Sequence, residues 1–505
     1  MQAAQRVIIN TAAQYTRTII NILLSLYSTR LVLDALGKSD YGIFQLVGGV
    51  VAMLSFLTNA MVVTTQRHLS FAHGRGEAAE IRSVFANSLL LHFIMGLALV
   101  LILATLTPWI TGFLEIEPTR IDTARSVYLV ALLTLFISFM VAPYRALFIA
   151  RENIVYISVV DVMDGVLKVL FVFFFLKLFP DRLLAYTFLM SALRLFHLLA
   201  LSIYGRVNYE EVCIVPSRRD ISAALLRKIV GFAGWTTYSM GCVIARNQGL
   251  GVVLNKIFKN TIINAAYGLA IQVSSSAAFV SQSLCNALSP QLIKAEGGGY
   301  RERMLSLAST TSKYSFLLLA MVVMPLIAEM RPVLDFWLGS DNYPEETVLF
   351  CRVILIATLC DQLTIGLNLA NQAIGRIRTF SLTINTIKVL TLPCIVILVK
   401  IGCALLLAIW SYVAIELFCA VLRIPFLKYM AGLSVRRYFT DVFARVILPS
   451  VVICAVCYGV VNSFNFPFRF LVTLFMSVLF GGLAVWAFGS SAEERLQFRR
   501  LINRS

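Results

Sequence analysis

Charged side chains stand inside apolar stretches of this chain where lipid should exclude them: Arg17, Arg30, Asp161, Asp164, Lys168, Arg194, Arg246, Asp361, Lys388 and Glu416. An Arg, Lys or Asp at the centre of a membrane helix costs roughly 2.5–3.5 kcal/mol on insertion scales. Such groups therefore face a protein interior or a wet cavity and mark a pathway. Arg17 lies about ten residues into its stretch, roughly 15 Å at 1.5 Å per residue, too deep to reach the interface easily. Gln14, Thr18 and Asn21 share its helical face, which reads as a polar stripe. Arg246, in ARNQGLG, is similarly deep beside Asn247 and Gln248. Guanidinium holds phosphate oxygens through paired charge-assisted hydrogen bonds, so Arg17 and Arg246 are candidates to grip a phosphate-bearing head group. The alternative is structural pairing with a buried acid. Lys168 and Lys388 are secondary candidates for the same site, and Arg30, near a helix end, is placed to snorkel as an anchor.

The acids suggest a second chemistry. Asp164 and Lys168 stand at i, i+4 with the acid first, the order that favours an intrahelical ion pair. Asp161 and Asp361 have no evident partner in the sequence, which leaves them free to carry a coupling proton or sodium ion. Nothing points to catalysis: His68, His73, His92 and His197 show neither metal-ligand nor triad spacing. Gly297, Gly298 and Gly299 do not open a P-loop, which needs GxxxxGK[ST] after a strand. No catalytic residue, metal or cofactor is expected, and ATP hydrolysis is excluded as the energy source. Cys454 and Cys457 form a CxxC inside an apolar helix without a βαβ context, and the ten cysteines give no disulfide framework.

The elements that must position these charges follow from composition. The chain has 505 residues, 59% hydrophobic and 14% charged, with mean hydropathy +0.83; soluble domains run near 45–50% apolar and about 25% charged. Stretches of roughly 20 apolar residues, enough to cross about 30 Å of hydrocarbon, recur about fourteen times from residue 7 to residue 489. Period-two alternation is missing, which excludes a barrel. Residues 1–33 lack the uninterrupted apolar core of a cleavable signal peptide. The expectation is an all-α polytopic membrane protein. The net charge of +17 is unevenly spread: inner loops and termini hold roughly 26 Lys and Arg against roughly 11 outside, the positive-inside bias, with both termini cytoplasmic. The basic clusters at 217–228, 423–437 and 494–504 set topology and contact anionic lipid, and nucleic acid is not expected as a partner.

YGIFQLVGGVVAMLSFLTNAM at 41–61 resembles YGLAIQVSSSAAFVSQSLCNAL at 267–288, and QRHLSFAHGRGE at 66–77 resembles QLIKAEGGGYRE at 291–302. The copies are separated by an even number of helices, so the repeat is parallel. The chain divides into a six-helix lobe at 1–205, a charged cytoplasmic linker at 206–224, a second six-helix lobe at 225–430, and two further helices with a basic tail at 431–505. Two similar bundles around a central pathway is a transporter architecture. Pro143, Pro325 and Pro393, with Gly249 and Gly251, fall inside expected spans as hinges or fixed kinks.

LYSTRLVLDALGKSDYGIFQLVGGVVAMLSFL at 26–57, TQRHLSFAHGRGE at 65–77, APYRALFIARE at 142–152, INAAYGLAIQV at 263–273 and LSPQLIKA at 288–295 resemble the bacterial oligosaccharide flippases. These form the polysaccharide transporter branch of the multidrug, oligosaccharidyl-lipid and polysaccharide exporter superfamily. The resemblance continues through DFWLGSDNYPEETVLF at 335–350 and NQAIGRIRTF at 371–380. It implies fourteen helices and a V-shaped pair of lobes in the bacterial cytoplasmic membrane. It also implies movement of undecaprenyl-diphosphate-linked oligosaccharide to the outer leaflet, for O-antigen, capsule or exopolysaccharide assembly. Expected partners are the lipid-linked oligosaccharide, membrane lipids, and the glycan polymerase and chain-length proteins of the same pathway. A lipid II flippase and a multidrug cation antiporter are the nearest alternatives, and a membrane glycan polymerase a more distant one.

Overall fold

The computed structural model describes residues 3–107, 120–174, 176–212, 216–258, 261–339, 343–491 and 494–495. Regular structure among these residues is helical throughout, the arrangement in which each segment satisfies its own backbone hydrogen bonds without water. The helices are α1 (Ala3–Met53), α2 (Ser55–Arg75), α3 (Ala78–Thr105), α4 (Ile121–Ala150), α5 (Ile154–Phe174), α6 (Arg182–Asn208), α7 (Ala223–Phe258) and α8 (Thr261–Gly297). Then come α9 (Arg301–Ala328), α10 (Met330–Leu338), α11 (Glu346–Gln362) and α12 (Ile365–Ile374), followed by α13 (Ile377–Lys400), α14 (Leu405–Ala431), α15 (Val435–Ser463) and α16 (Arg469–Gly489).

Among the described residues α3, α4, α6, α9, α13, α14, α15 and α16 are long and apolar enough to cross a bilayer, and α11 with α12 make a ninth, bent by 47°. The remaining helices include those that carry interior charge: α5 holds Asp161, Asp164 and Lys168 within 21 residues. α1 is two helices that meet at Gly37, whose φ of 78° and ψ of 171° suit glycine because a Cβ is absent. That break separates residues 7–33 from residues 41–67, two of the apolar stretches counted in the sequence.

The chain forms two compact units: residues 1–237 with 297–299, and residues 238–296 with 300–505. α7 gives its residues up to Thr237 to the first unit and the rest to the second. In the first unit α4 packs against α1, α2, α3 and α6, and α1 runs along α5. Gly165 sets that last approach, since a Cβ there would stand 2.9 Å from Leu24 Cδ1 and 3.3 Å from Asn21 Oδ1. The polar stripe of α1 therefore packs on α5, as small residues at membrane helix interfaces allow.

In the second unit α9 packs against α11, α12, α15 and α16, and α14 against α11 and α13. α9 is the most buried of the spans. It can accordingly hold Thr311, Ser312, Lys313 and Ser315 inside the protein. Outer faces are apolar, with Leu97, Leu101 and Ile102 exposed on α3 and Leu471, Phe475 and Leu479 on α16. The nine cysteines among the described residues are free; Cys213 lies outside them.

Candidate functional site

Each unit holds an interior network of charges, and both are built where four helices converge. In the first unit the hub is Asp161 on α5. Arg17 of α1 donates from Nη1 to Asp161 Oδ2 at 2.7 Å. Arg145 of α4 donates through both arms of its fork, Nη1 to Oδ1 at 3.1 Å and Nη2 to Oδ2 at 3.0 Å. The planar guanidinium matches the carboxylate, which makes this a strong charge-assisted contact. His197 of α6 places Nε2 3.0 Å from Asp161 Oδ1 and Nδ1 3.8 Å from Asp164 Oδ1, off the line of a ring N–H hydrogen bond. Asn10, two turns before Arg17 on α1, donates to the backbone carbonyl of Glu152 at 2.8 Å.

Three expectations change here. Asp161 has partners on three other helices, so it is not free in the folded chain. Arg17, whose stripe suggested water, is committed to a carboxylate. Asp164 and Lys168 do not make the intrahelical ion pair that their spacing favours: Asp164 turns to His197, and the Lys168 ammonium lies 5.9 Å over the ring of Tyr186. A residue on a neighbouring helix can outcompete an i+4 partner worth only about 0.2–0.5 kcal/mol. Arg194 on α6 adds a second positive charge near Lys168. The side chain of Arg30 lies outside the described residues.

The second network alternates in sign along a chain of contacts. Arg246 of α7 donates from Nη1 to Glu416 Oε2 on α14 at 2.5 Å and stacks 4.6 Å over the ring of Tyr412. Lys388 of α13 bridges the other oxygen of Glu416 and Asp361 Oδ1, the latter at 2.9 Å. Arg423 of α14 donates from Nη2 to Asp361 Oδ1 at 2.6 Å, and from Nη1 to the Asp361 carbonyl at 3.2 Å and Thr364 Oγ1 at 3.3 Å. At the break between α11 and α12 side chains supplement the backbone: Arg423 shares the Asp361 carbonyl with the Thr364 amide, which donates at 3.3 Å, and the Tyr438 hydroxyl donates to the carbonyl of Leu363 at 2.8 Å.

Sequence reasoning placed Arg423 in a basic cluster at a helix end; the structure instead buries it to 3% exposure inside α14. Glu416 and Arg423 are seven residues apart, two turns on one face, and that spacing was the available signal. Arg145 and His197 were also missed, because their partner Asp161 lies on another helix. Among the described residues no group of His, Cys, Asp and Glu could hold a metal ion.

The networks are unequal in sign. In the first, Arg17, Arg145, Lys168 and Arg194 face Asp161 and Asp164. In the second, Arg246, Lys388 and Arg423 face Asp361 and Glu416. Both networks thus hold more cations than carboxylates among the described residues, His197 left out of the count. Pairing repays the desolvation of the committed charges and pins the helices together. The cations in excess are what an anion could use.

Comparison with known proteins defines the fold. The chain has the fold of MATE transporters of the MOP superfamily. One MATE structure, in the straight conformation, superposes with a TM-score of 0.73 over 86% of this chain and 97% of its own, at 14% identity. An outward-facing multidrug resistance MATE transporter of the MOP superfamily gives 0.72 over 86% and 96%, also at 14% identity. A MOP superfamily transporter from Pyrococcus furiosus, described as having a binding pocket of reverse polarity that suggests a different function, gives 0.72 over 86% and 96% at 13% identity. These structural neighbours are transporters, not enzymes, and the chain is a multi-pass membrane protein of the same build. Among curated sequences it is 20% identical over 346 residues, 68% of this chain and 67% of the other, to the uncharacterized membrane protein EpsK of Bacillus subtilis. No protein-family profile matches the chain.

Proposed function

We propose that the protein is a flippase. It moves undecaprenyl-diphosphate-linked oligosaccharide from the inner to the outer leaflet of the bacterial cytoplasmic membrane, by alternating access of two six-helix lobes within a fourteen-span chain. The observation that carries this reading is the excess of cations over carboxylates inside both bundles. A diphosphate head group needs fixed positive charge in a low-dielectric interior, and an arginine- and lysine-rich wall supplies it. A multidrug antiporter shares the fold, but a lipophilic cation would meet like charge here, which disfavours its entry. The solved transporter of this fold whose pocket is described as of reverse polarity, suggesting a different function, is compatible with this reading. A lipid II flippase would use the same cations; the loop motifs at 65–77 and 142–152 favour the oligosaccharide branch.

In this reading Lys168 lines the diphosphate path, while Arg17, Arg246 and Lys388, each committed to a carboxylate, add positive charge within their own units; both termini are cytoplasmic, and Asp161 and Asp361, though paired, are the residues through which a proton or sodium gradient would act. The test is purified protein in vesicles loaded on one side with undecaprenyl-diphosphate-linked oligosaccharide. The sugar should become accessible to a lectin on the opposite side, and a fluorescent lipophilic cation should not be exchanged. Movement of the cation without the lipid would reverse the assignment.

A further inference from the structure

Resting on the reading of the cargo as a phosphate-bearing lipid, we infer that Lys168 and Arg194 form the anion seat of the first unit. Arg17, Arg246 and Lys388 serve to hold helices in place. Lys168 lies fourteen residues after Ile154 on α5, and Arg194 lies fourteen before Asn208 at the end of α6. The two helices run antiparallel, and Asn153 at the start of α5 donates to the hydroxyls of Tyr204 and Tyr209 at the end of α6, at 3.5 and 2.9 Å. At 1.5 Å per residue both cations stand about 21 Å from that shared end, at one height inside the bundle.

They differ from the other cations of the two networks in having no carboxylate in direct contact. Arg17 and Arg145 have Asp161, Arg246 has Glu416, Lys388 has Asp361 and Glu416, and Arg423 has Asp361. Among the described residues neither Lys168 nor Arg194 has a carboxylate within ion-pair distance. Asp164, one turn before Lys168, lies 3.8 Å from His197 and beyond ion-pair distance of Lys168, so its charge reaches the ammonium only through space, as that of Arg194 does. The ring of Tyr186 under the Lys168 ammonium stabilises a cation through its π face without cancelling its charge. Two like charges at one height repel, and a single bridging phosphate relieves both. Both side chains are half-buried, so a ligand can reach them. A fork and a point charge together suit a diphosphate, with Arg194 taking two oxygens and Lys168 a third.

The test uses the full chain in zwitterionic nanodiscs, with inorganic pyrophosphate and, separately, undecaprenyl diphosphate as probes. Binding is read from the ligand-dependent rise in melting temperature. Lys168→Gln with Arg194→Gln should weaken pyrophosphate binding at least roughly tenfold, because two charge-assisted contacts are lost, with the ligand-free melting temperature little changed. Lys168→Arg should retain binding. Arg17→Gln should lower the ligand-free melting temperature and leave pyrophosphate affinity within roughly twofold, since it touches no seat contact. If the double variant does not accumulate, Arg194→Gln alone carries the test. Competition between the two probes assigns the seat to the lipid head group; undecaprenyl diphosphate binding that fails in the double variant while pyrophosphate never binds assigns it to the lipid alone. Binding of both probes undiminished in the double variant, or binding lost on Arg17→Gln instead, overturns the seat. Loss of pyrophosphate binding in the double variant of a protein that moves no lipid-linked sugar would leave the seat standing and overturn the flippase reading.

Discussion

Asp161 and Arg17 form an ion pair, yet removing them should not cost the same. Asp161→Ala strands two guanidiniums, Arg17 and Arg145, against each other in the bundle interior. Deleting one partner of a buried pair costs roughly 3–5 kcal/mol. Arg17 is 18% exposed and Arg145 31%, so solvent relieves part of that and about 3 kcal/mol is expected. Arg17→Ala leaves Asp161 with the Arg145 fork and with His197 nearby, so only one charge-assisted bond is lost, about 1.5–2 kcal/mol. In a unit of this size 3 kcal/mol corresponds to about 6–12 °C in melting temperature. The double variant, which removes one stranded cation together with the acid, should be more stable than Asp161→Ala alone. Melting of purified protein in nanodiscs, with surface abundance as a parallel readout, measures all three. If Arg17→Ala proves as damaging as Asp161→Ala, or the double variant is worse than Asp161→Ala, the hub role assigned to Asp161 is wrong.

In the second unit, Glu416→Gln should lower abundance more than Lys388→Gln, because it strands Arg246 and leaves Lys388 with Asp361 alone, whereas loss of Lys388 leaves each acid with an arginine. Gly366→Ala should reduce folded protein sharply, since its Cβ would lie 1.9 Å from the Ala308 carbonyl oxygen and α9 and α12 would have to separate, an overpacking cost of about 1–3 kcal/mol or more. Glu494, beyond the last span, is a pH test. Burial would raise its carboxyl, but the Lys313 ammonium at 2.6–2.8 Å and the Ser491 amide at 2.7 Å hold it below the ordinary glutamate range. A depressed folded value means the docking energy is fully present above the unfolded value and is lost only as pH falls through the folded one. Hydrogen exchange in the segment around Ser491 should therefore be equally protected at pH 7 and pH 5, and Glu494→Gln should expose it at both. Asn at Asp161 or Asp361 should weaken the dependence of transport on a pH or sodium gradient; unchanged dependence in vesicles would remove both acids from coupling.

The helical fold was legible because lipid imposes it: apolar stretches of about 20 residues leave little choice of secondary structure. Gly37 and Gly375 sit at the helix ends where the sequence suggested breaks, with positive φ of 78° and 83°. The interior charges were legible as a set, since each is expensive in lipid. Their pairing was not. Arg17 and Asp161 are 144 residues apart, and Arg246 and Glu416 are 170 apart. Spacing within one helix proposed Asp164 with Lys168, a local contact that interhelical partners displaced. Arg423 was read as a topology signal because its neighbours Lys428, Arg436 and Arg437 are basic, while its own face, shared with Glu416, points inward.

The central claim is outward movement of a lipid-linked glycan, and leaflet-specific labelling of that glycan in cells with the gene deleted tests it most directly. Undecaprenyl-linked repeat units should accumulate on the cytoplasmic leaflet, surface glycan should disappear, and re-expression should restore both. Normal outward labelling in a deletion strain without a redundant flippase would contradict the account.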